Sequence, residues 1–333
     1  MNAKTDSRVS RNPAIEGLRI MLMLGICMCH SVGAGGFCYA PVRNVCMMCT
    51  VGFVFITGWF GVGLAVKKIA RLLGIAIFAL AVVVIEDVAL HGHLTENPLR
   101  RMIQWWFLNT YLMLMILSPI LNSIVTCVQS DDAKIRRDGW FSVAIIALTI
   151  YGVAWPMHCR WIPRIRFFLT IGCPCQFGTM CVIYLLARIV KVTGILDKSG
   201  NWIWWVGLAV PVGLAMSSYR FSYYNSPVAF VFAVSVFALC HRIVLRGRLL
   251  AKLIAFIAPS MFFVYLYHSH GDPGFVIIKN VETYMVNNGV PIPASWIATA
   301  VGIFTIGVAI DLFRRYGLKV FAHTARCILC RGL

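Results

Sequence analysis

Charge is scarce in this chain: 13% of its residues are Asp, Glu, Lys or Arg, against about 25% in a soluble domain. Apolar residues make up 60%, and uncharged runs recur along the whole length. That pattern excludes a soluble domain on a single anchor and points to a polytopic membrane protein. Acidic groups are the scarcer sign, 12 against 30 basic, for a net charge of +18. In a soluble protein such an excess would suggest nucleic acid. Here the basic residues fall in short loops between apolar runs, where they orient the chain and meet anionic headgroups. The bilayer is therefore the expected partner, and nucleic acid is not. A zinc framework is also missing: Cys46-x-x-Cys49 and Cys327-x-x-Cys330 each lack a second pair at metal-site spacing, so no metal is expected. Most of the 13 cysteines lie in or beside apolar runs and read as small hydrophobes. Cys38 and Cys159 both fall on the outer side and are open to pairing. No small-x-small cleavage site follows the first apolar stretch, which reads as retained, and no internal repeat divides the chain.

Hydropathy places ten membrane spans at approximately 17–33, 45–66, 70–90, 103–125, 140–155, 167–190, 201–217, 227–245, 250–268 and 293–313. The expected fold is all-α, one transmembrane domain over 1–333, with a cytoplasmic segment 1–16 and a basic interfacial tail 314–333. With the N-terminus inside, the inner loops hold most of the basic residues, among them Lys67, Lys68, Arg71, Arg188, Lys191 and Arg242. The positive-inside rule then puts both termini in the cytoplasm. The segment 269–292, with Gly271, Pro273, Gly274 and Pro291, reads as the longest outer loop.

Two ionisable residues interrupt the first span. Arg19 and His30 are eleven residues apart, about three helical turns, so both project from one face roughly 16 Å apart. An arginine at the centre of a bilayer costs about 2.5–3.5 kcal/mol on insertion scales. One reading is a snorkelling arginine and a packing histidine. The other is a track for a polar substrate. Arginine suits phosphate because its planar fork binds oxyanions in pairs, and Lys67, Lys68 and Arg71 lie on the same side to complete an anion site or simply to fix topology. Imidazole suits general-base work near neutral pH. Glu86 and Asp87 near the outer end of the third span are placed either to orient His30 or to balance Arg100 and Arg101, with Glu86 the candidate catalytic partner. Trp105, Trp106 and Tyr111 read as an aromatic belt or as a platform for sugar rings, and His268, between Tyr267 and Ser269-His270, as the rim of a cavity.

Taken in order, these segments resemble a known pattern. Asn12-Pro-Ala-Ile-Glu-Gly-Leu-Arg19, ten residues, then His30 resembles the opening signature of the acyltransferase-3 family of membrane acyltransferases. Gly52-Phe-Val-Phe-Ile-Thr-Gly58-Trp-Phe, with Lys67-Lys68-x-x-Arg71 after it, is similar to the family's second span and basic cluster. Trp105-Trp-Phe-Leu-Asn-Thr-Tyr111, Leu117-Ser-Pro-Ile-Leu-Asn122, Tyr224-Asn-Ser-Pro227 and Phe263-Val-Tyr-Leu-Tyr-His268 continue the resemblance across nearly the whole chain. Thr57 stands where the family usually has serine, Trp59 where it has tyrosine, and Tyr267 where it has an aliphatic residue.

The resemblance implies acyl transfer, most often of acetyl from acetyl-CoA, to a hydroxyl on a cell-surface polysaccharide or lipid-linked sugar at the bacterial inner membrane. On that pattern Arg19 holds the donor phosphates and His30 removes the acceptor proton or relays the acyl group. Two other classes suit a polytopic chain with buried polar residues: a secondary transporter, and a family member without turnover that serves as sensor or structural subunit.

Overall fold

The computed structural model describes residues 12–32, 39–95, 97–155, 174–268 and 272–331, and all regular structure among them is helical. In chain order the helices are α1 (Pro13–Ser31), α2 (Ala40–Met47), α3 (Cys49–Phe60), α4 (Val66–His91), α5 (Pro98–Gln104), α6 (Trp106–Val128), α7 (Ala133–Ala147), α8 (Pro174–Thr193) and α9 (Ile195–Lys198). There follow α10 (Asn201–Ser217), α11 (Tyr219–Ser222), α12 (Pro227–His241), α13 (Arg248–Ile257), α14 (Met261–Tyr267), α15 (Asp272–Asn287) and α16 (Ile292–Arg331). A π-turn over Leu148–Ala154 extends α7, and the single 3₁₀ turn Ala258–Ser260 joins α13 to α14.

Six stretches are long and apolar enough to cross a membrane: Pro13–Ser31, Ala40–Phe60, Val66–His91, Trp106–Val128, Arg248–Tyr267 and Ile292–Val320. Ten spans were expected. The expected seventh and eighth correspond to α10 and α12, apolar but with 17 and 15 residues shorter than a straight crossing of about 20. Exposed Ile77, Ile85, Ile116, Ile120, Val301 and Ile306 give the outer helix faces an apolar surface, as lipid requires. The chain is an integral membrane protein. Cys38 and Cys159 lie outside the described residues, so their pairing is not addressed.

One expectation is corrected. The expected outer loop 269–292 holds a helix: α15 occupies Asp272–Asn287, with Pro273 in its first turn, where a missing N–H is tolerated. Ile278 and Glu282, one turn apart and both buried, turn that helix onto α16, and Trp296 Nε1 donates to Glu282 Oε1 at 2.9 Å. The α16 helix runs on unbroken through the basic residues after Arg314 to Arg331. Arg314 and Arg315 both reach the buried Asp311 one turn back, at 2.6 and 3.1 Å, which offsets part of the positive charge at the start of that extension.

α1 is the hub. It packs on α2, α3, α12, α13, α14 and α16, and Ile15, Leu18, Leu22, Met23 and Ile26 enter the main core beside Val51, Val54, Phe55, Phe237 and Val264. Its start follows from sequence: Asn12 Oδ1 accepts from Ala14 N at 2.9 Å, and Pro13 fills the first helical position. α3 runs antiparallel to it, with Leu22 opposite Gly52 and Arg19 beside Phe60. The glycines of the Gly52–Gly58 segment set this layer. A Cβ on Gly52 would stand 2.9 Å from Leu22, and one on Gly58 would stand 2.7 Å from Ala187 of α8. Without a hydrophobic force between helices in lipid, such backbone approach is what holds them together.

Candidate active site

The two ends of α1 present different chemistry. At the first end Arg19 bonds Glu16 Oε1 at 3.1 Å, one turn back, and its guanidinium lies over the Phe60 ring, 5.8 Å from the centroid. The chain then turns at Gly61, whose φ of 78° favours glycine. Beyond the turn Asn122 Nδ2 donates to Val62 O at 3.2 Å. Tyr184 Oη donates to Asn122 Oδ1 at 2.9 Å and accepts from Val62 N at 3.1 Å. Two helices, α6 and α8, thus fasten the loop after α3. The Ser118-Pro119 pair has a local explanation too. Proline at 119 supplies no N–H to the Met115 carbonyl four residues back, and Ser118 Oγ donates to that carbonyl at 2.8 Å instead.

At the other end, the His30 ring meets the His268 ring edge-on, with centroids 4.9 Å apart and planes at 75°. His30 is exposed, whereas His268 is buried. His268 Nδ1 lies 2.7 Å from Tyr265 O, and since a carbonyl only accepts, Nδ1 carries the proton in that bond. Tyr265 in turn accepts from Phe107 N at 3.2 Å through its hydroxyl, docking the start of α6 on α14. Among the described residues no ion pair or hydrogen bond reaches His30.

The two adjacent carboxylates of α4 have separate partners. Asp87 is fully buried and accepts from Arg101 Nη2 at 2.9 Å, Thr95 N at 2.9 Å and Thr95 Oγ1 at 2.8 Å. Removing one partner of such a buried pair costs about 3–5 kcal/mol. Of the two roles open to these carboxylates, balancing Arg101 falls to Asp87. Glu86 accepts from Tyr267 Oη at 2.9 Å and makes no bond to His30; it touches the residue next to His268.

The aromatic candidates divide in the same way. Trp105 and its neighbour Phe107 are buried in the core. Trp106 is half-buried, packs on Tyr224 with centroids 5.2 Å apart, and lines a small cavity with Thr50, Val54, Thr179, Ile183 and Tyr224. No residue of α1 lines it. Tyr111 stacks on Phe107 at 6.2 Å. Tyr224 belongs to the Tyr-Asn-Ser-Pro segment, whose Ser226 caps α12 by accepting from Val228 N at 3.1 Å ahead of Pro227. That segment was legible as a motif, and its tyrosine's place at the cavity was not. Lys67, Lys68 and Arg71 are exposed on the first turns of α4 and form no ion pair among the described residues.

Residues 12–314 match a family model described as an acyltransferase domain. The chain belongs to the acyltransferase-3 family. The model spans every segment that carried the resemblance, from Asn12 to the His268 end of α14 and on into α16. A search of curated proteins and a search of solved structures returned no match. Membership makes an acyltransferase of the chain and sets its helices in a membrane.

Proposed function

We propose that the protein transfers an acyl group, most simply acetyl, from acyl-CoA on the cytoplasmic side to a hydroxyl of a cell-surface polysaccharide or lipid-linked sugar, in the bacterial inner membrane. The observation that carries this reading is the polarity of α1: a guanidinium over an aromatic face at one end, and a pair of imidazoles at the other. The donor set suits a coenzyme A ester. Arg19 is a permanent cation with a planar fork for phosphate oxygens, and the Trp59–Phe60 edge offers an aromatic face beside it.

In the reaction the acceptor oxygen forms an ester bond to the thioester carbonyl as the carbon–sulfur bond breaks, and the acceptor proton ends on the released thiol. The protein's part is to bind at Arg19 and to move that proton at His30. Imidazole suits the second task because it can take a proton and give it back near neutral pH. His268, fixed by its bond to the Tyr265 carbonyl, limits the rotation of the His30 ring by edge contact. Trp106 and Tyr224 are the aromatic faces nearest to hand for a sugar.

Mass spectrometry of envelope glycans and lipid-linked sugars, with and without the protein, tests the proposal. A species heavier by one acyl group is expected only when the protein is present. Identical spectra, together with no release of free coenzyme A by membranes given acetyl-CoA, would refute it.

A further inference from the structure

Three consecutive residues end α3, and cations converge on them from two other helices. Arg19 of α1 covers Phe60. Lys191 of α8 holds its ammonium 5.8 Å from the centre of the Trp59 ring. Arg188, one turn earlier on the same helix, lies against Gly61, where an added Cβ would stand 3.0 Å from its Nη1. His241, at the end of α12, meets the other aromatic neighbour: its ring is 5.4 Å from Trp59 and stacks on Phe237 at 5.6 Å.

This cluster is short of counter-charge, whereas buried Asp87 faces Arg101 and buried Asp311 faces Arg314 and Arg315. Here Glu16 serves Arg19 alone. Among the described residues Arg188 and Lys191 form no ion pair, and the buried Nε of Arg188 has no hydrogen-bond partner. Like charges gathered on half-buried Trp59 and exposed Phe60 repel, and a polyanion would relieve them. Lys67, Lys68 and Arg71, the basic residues that follow in sequence, are exposed and do not join them.

We infer that Arg188 and Lys191 complete, with Arg19, a phosphate-binding site for the nucleotide end of the acyl donor, with Trp59 as its aromatic floor. The inference rests on the proposed acyl-CoA donor and adds two residues read from sequence only as loop charge. A lipid phosphate has the same chemistry as a donor phosphate, so the test separates the two.

The probe is coenzyme A, titrated calorimetrically into full-length protein in nanodiscs of zwitterionic lipid, with pantetheine, which lacks the phosphates, as the second ligand. Lys191→Gln and Arg188→Gln are each expected to weaken coenzyme A binding about tenfold, with Arg188→Lys recovering part of the loss and pantetheine affinity unmoved. Lys191 is exposed, so its variant should retain the fold even if the Arg188 variants do not. Wild-type affinity for coenzyme A in Lys191→Gln would overturn the inference, as would an equal loss for pantetheine. It is also overturned if the substitutions reduce only co-purified anionic lipid. No binding of coenzyme A by the wild type would sink the donor reading itself and this site with it.

Discussion

Arg19 is paired with Glu16 and lies over Phe60, with Lys191 on the adjoining Trp59, whereas His30 meets a second imidazole whose Nδ1 is bonded to the Tyr265 carbonyl. The first arrangement is charged and geometrically loose: a guanidinium and an ammonium rest on rings near 6 Å, a distance that an arriving anion can alter cheaply. The second is tight, with its buried ring held by a 2.7 Å bond. An anchor for a charged ligand gains from unsatisfied charge; a group that must move a proton gains from a fixed orientation and from freedom from a permanent counter-ion. The contrast predicts that damage at the two ends will show in different kinetic constants.

The largest effect is expected at the histidine end. His30→Ala should lower turnover at saturating donor at least 100-fold, the usual range for losing a general base, with coenzyme A affinity kept within about twofold. Steady-state release of free thiol from acetyl-CoA measures the first quantity, and calorimetry the second. Loss of both together would erase the division of labour between the ends.

A smaller effect, of opposite kind, is expected from Gly61→Ala. At φ 78° and ψ 147° the backbone is in a region nearly reserved for glycine, so another residue is strained by about 1–3 kcal/mol, and the new Cβ would press on Arg188 Nη1. Donor KM should rise several-fold while kcat stays within about twofold, and the thermal midpoint should fall by a few degrees. An unchanged KM would mean that the turn and Arg188 lie outside the donor site.

These ends were not equally legible from the sequence. Arg19 and His30 stand out because an ionisable residue in an apolar run is rare, and the eleven-residue interval places them on one face whatever packs around them. His268 was visible for the same reason, though not its contact with His30, which depends on how α14 docks on the hub. Arg188 and Lys191 gave no such signal. They sit near the end of a helix where basic residues belong for topological reasons, and only the Gly58–Ala187 approach brings them to Trp59 and Gly61. Span counting was limited by breaks that hydropathy averages away. The expected span 45–66 begins inside α2, crosses a junction at Met48 and ends past α3, while 250–268 contains the turn at Pro259. The α15 helix was hidden by Pro273 and Gly274, residues that read as a loop unless the first turn of a helix is considered.

Glu86 offers the finest test of the histidine end, because sequence pairs it with His30 and the geometry pairs it with Tyr267. If its carboxylate worked on the imidazole, Glu86→Gln would lower kcat by 10-fold or more, as loss of an orienting charge does. Among the described residues its hydrogen-bond partner is the Tyr267 hydroxyl at 2.9 Å, and glutamine retains an oxygen that can accept the same bond. The substitution should therefore leave turnover within about twofold, at a stability change near 1 kcal/mol. Tyr267→Phe should match it, since either change weakens the same bond, and the double variant should add little to the single ones. A large fall in kcat for Glu86→Gln alone, with Tyr267→Phe silent, would mean that the carboxylate leaves Tyr267 for His30 during the reaction. The two ends of α1 would then differ less than they do at rest, because each would be working beside a carboxylate.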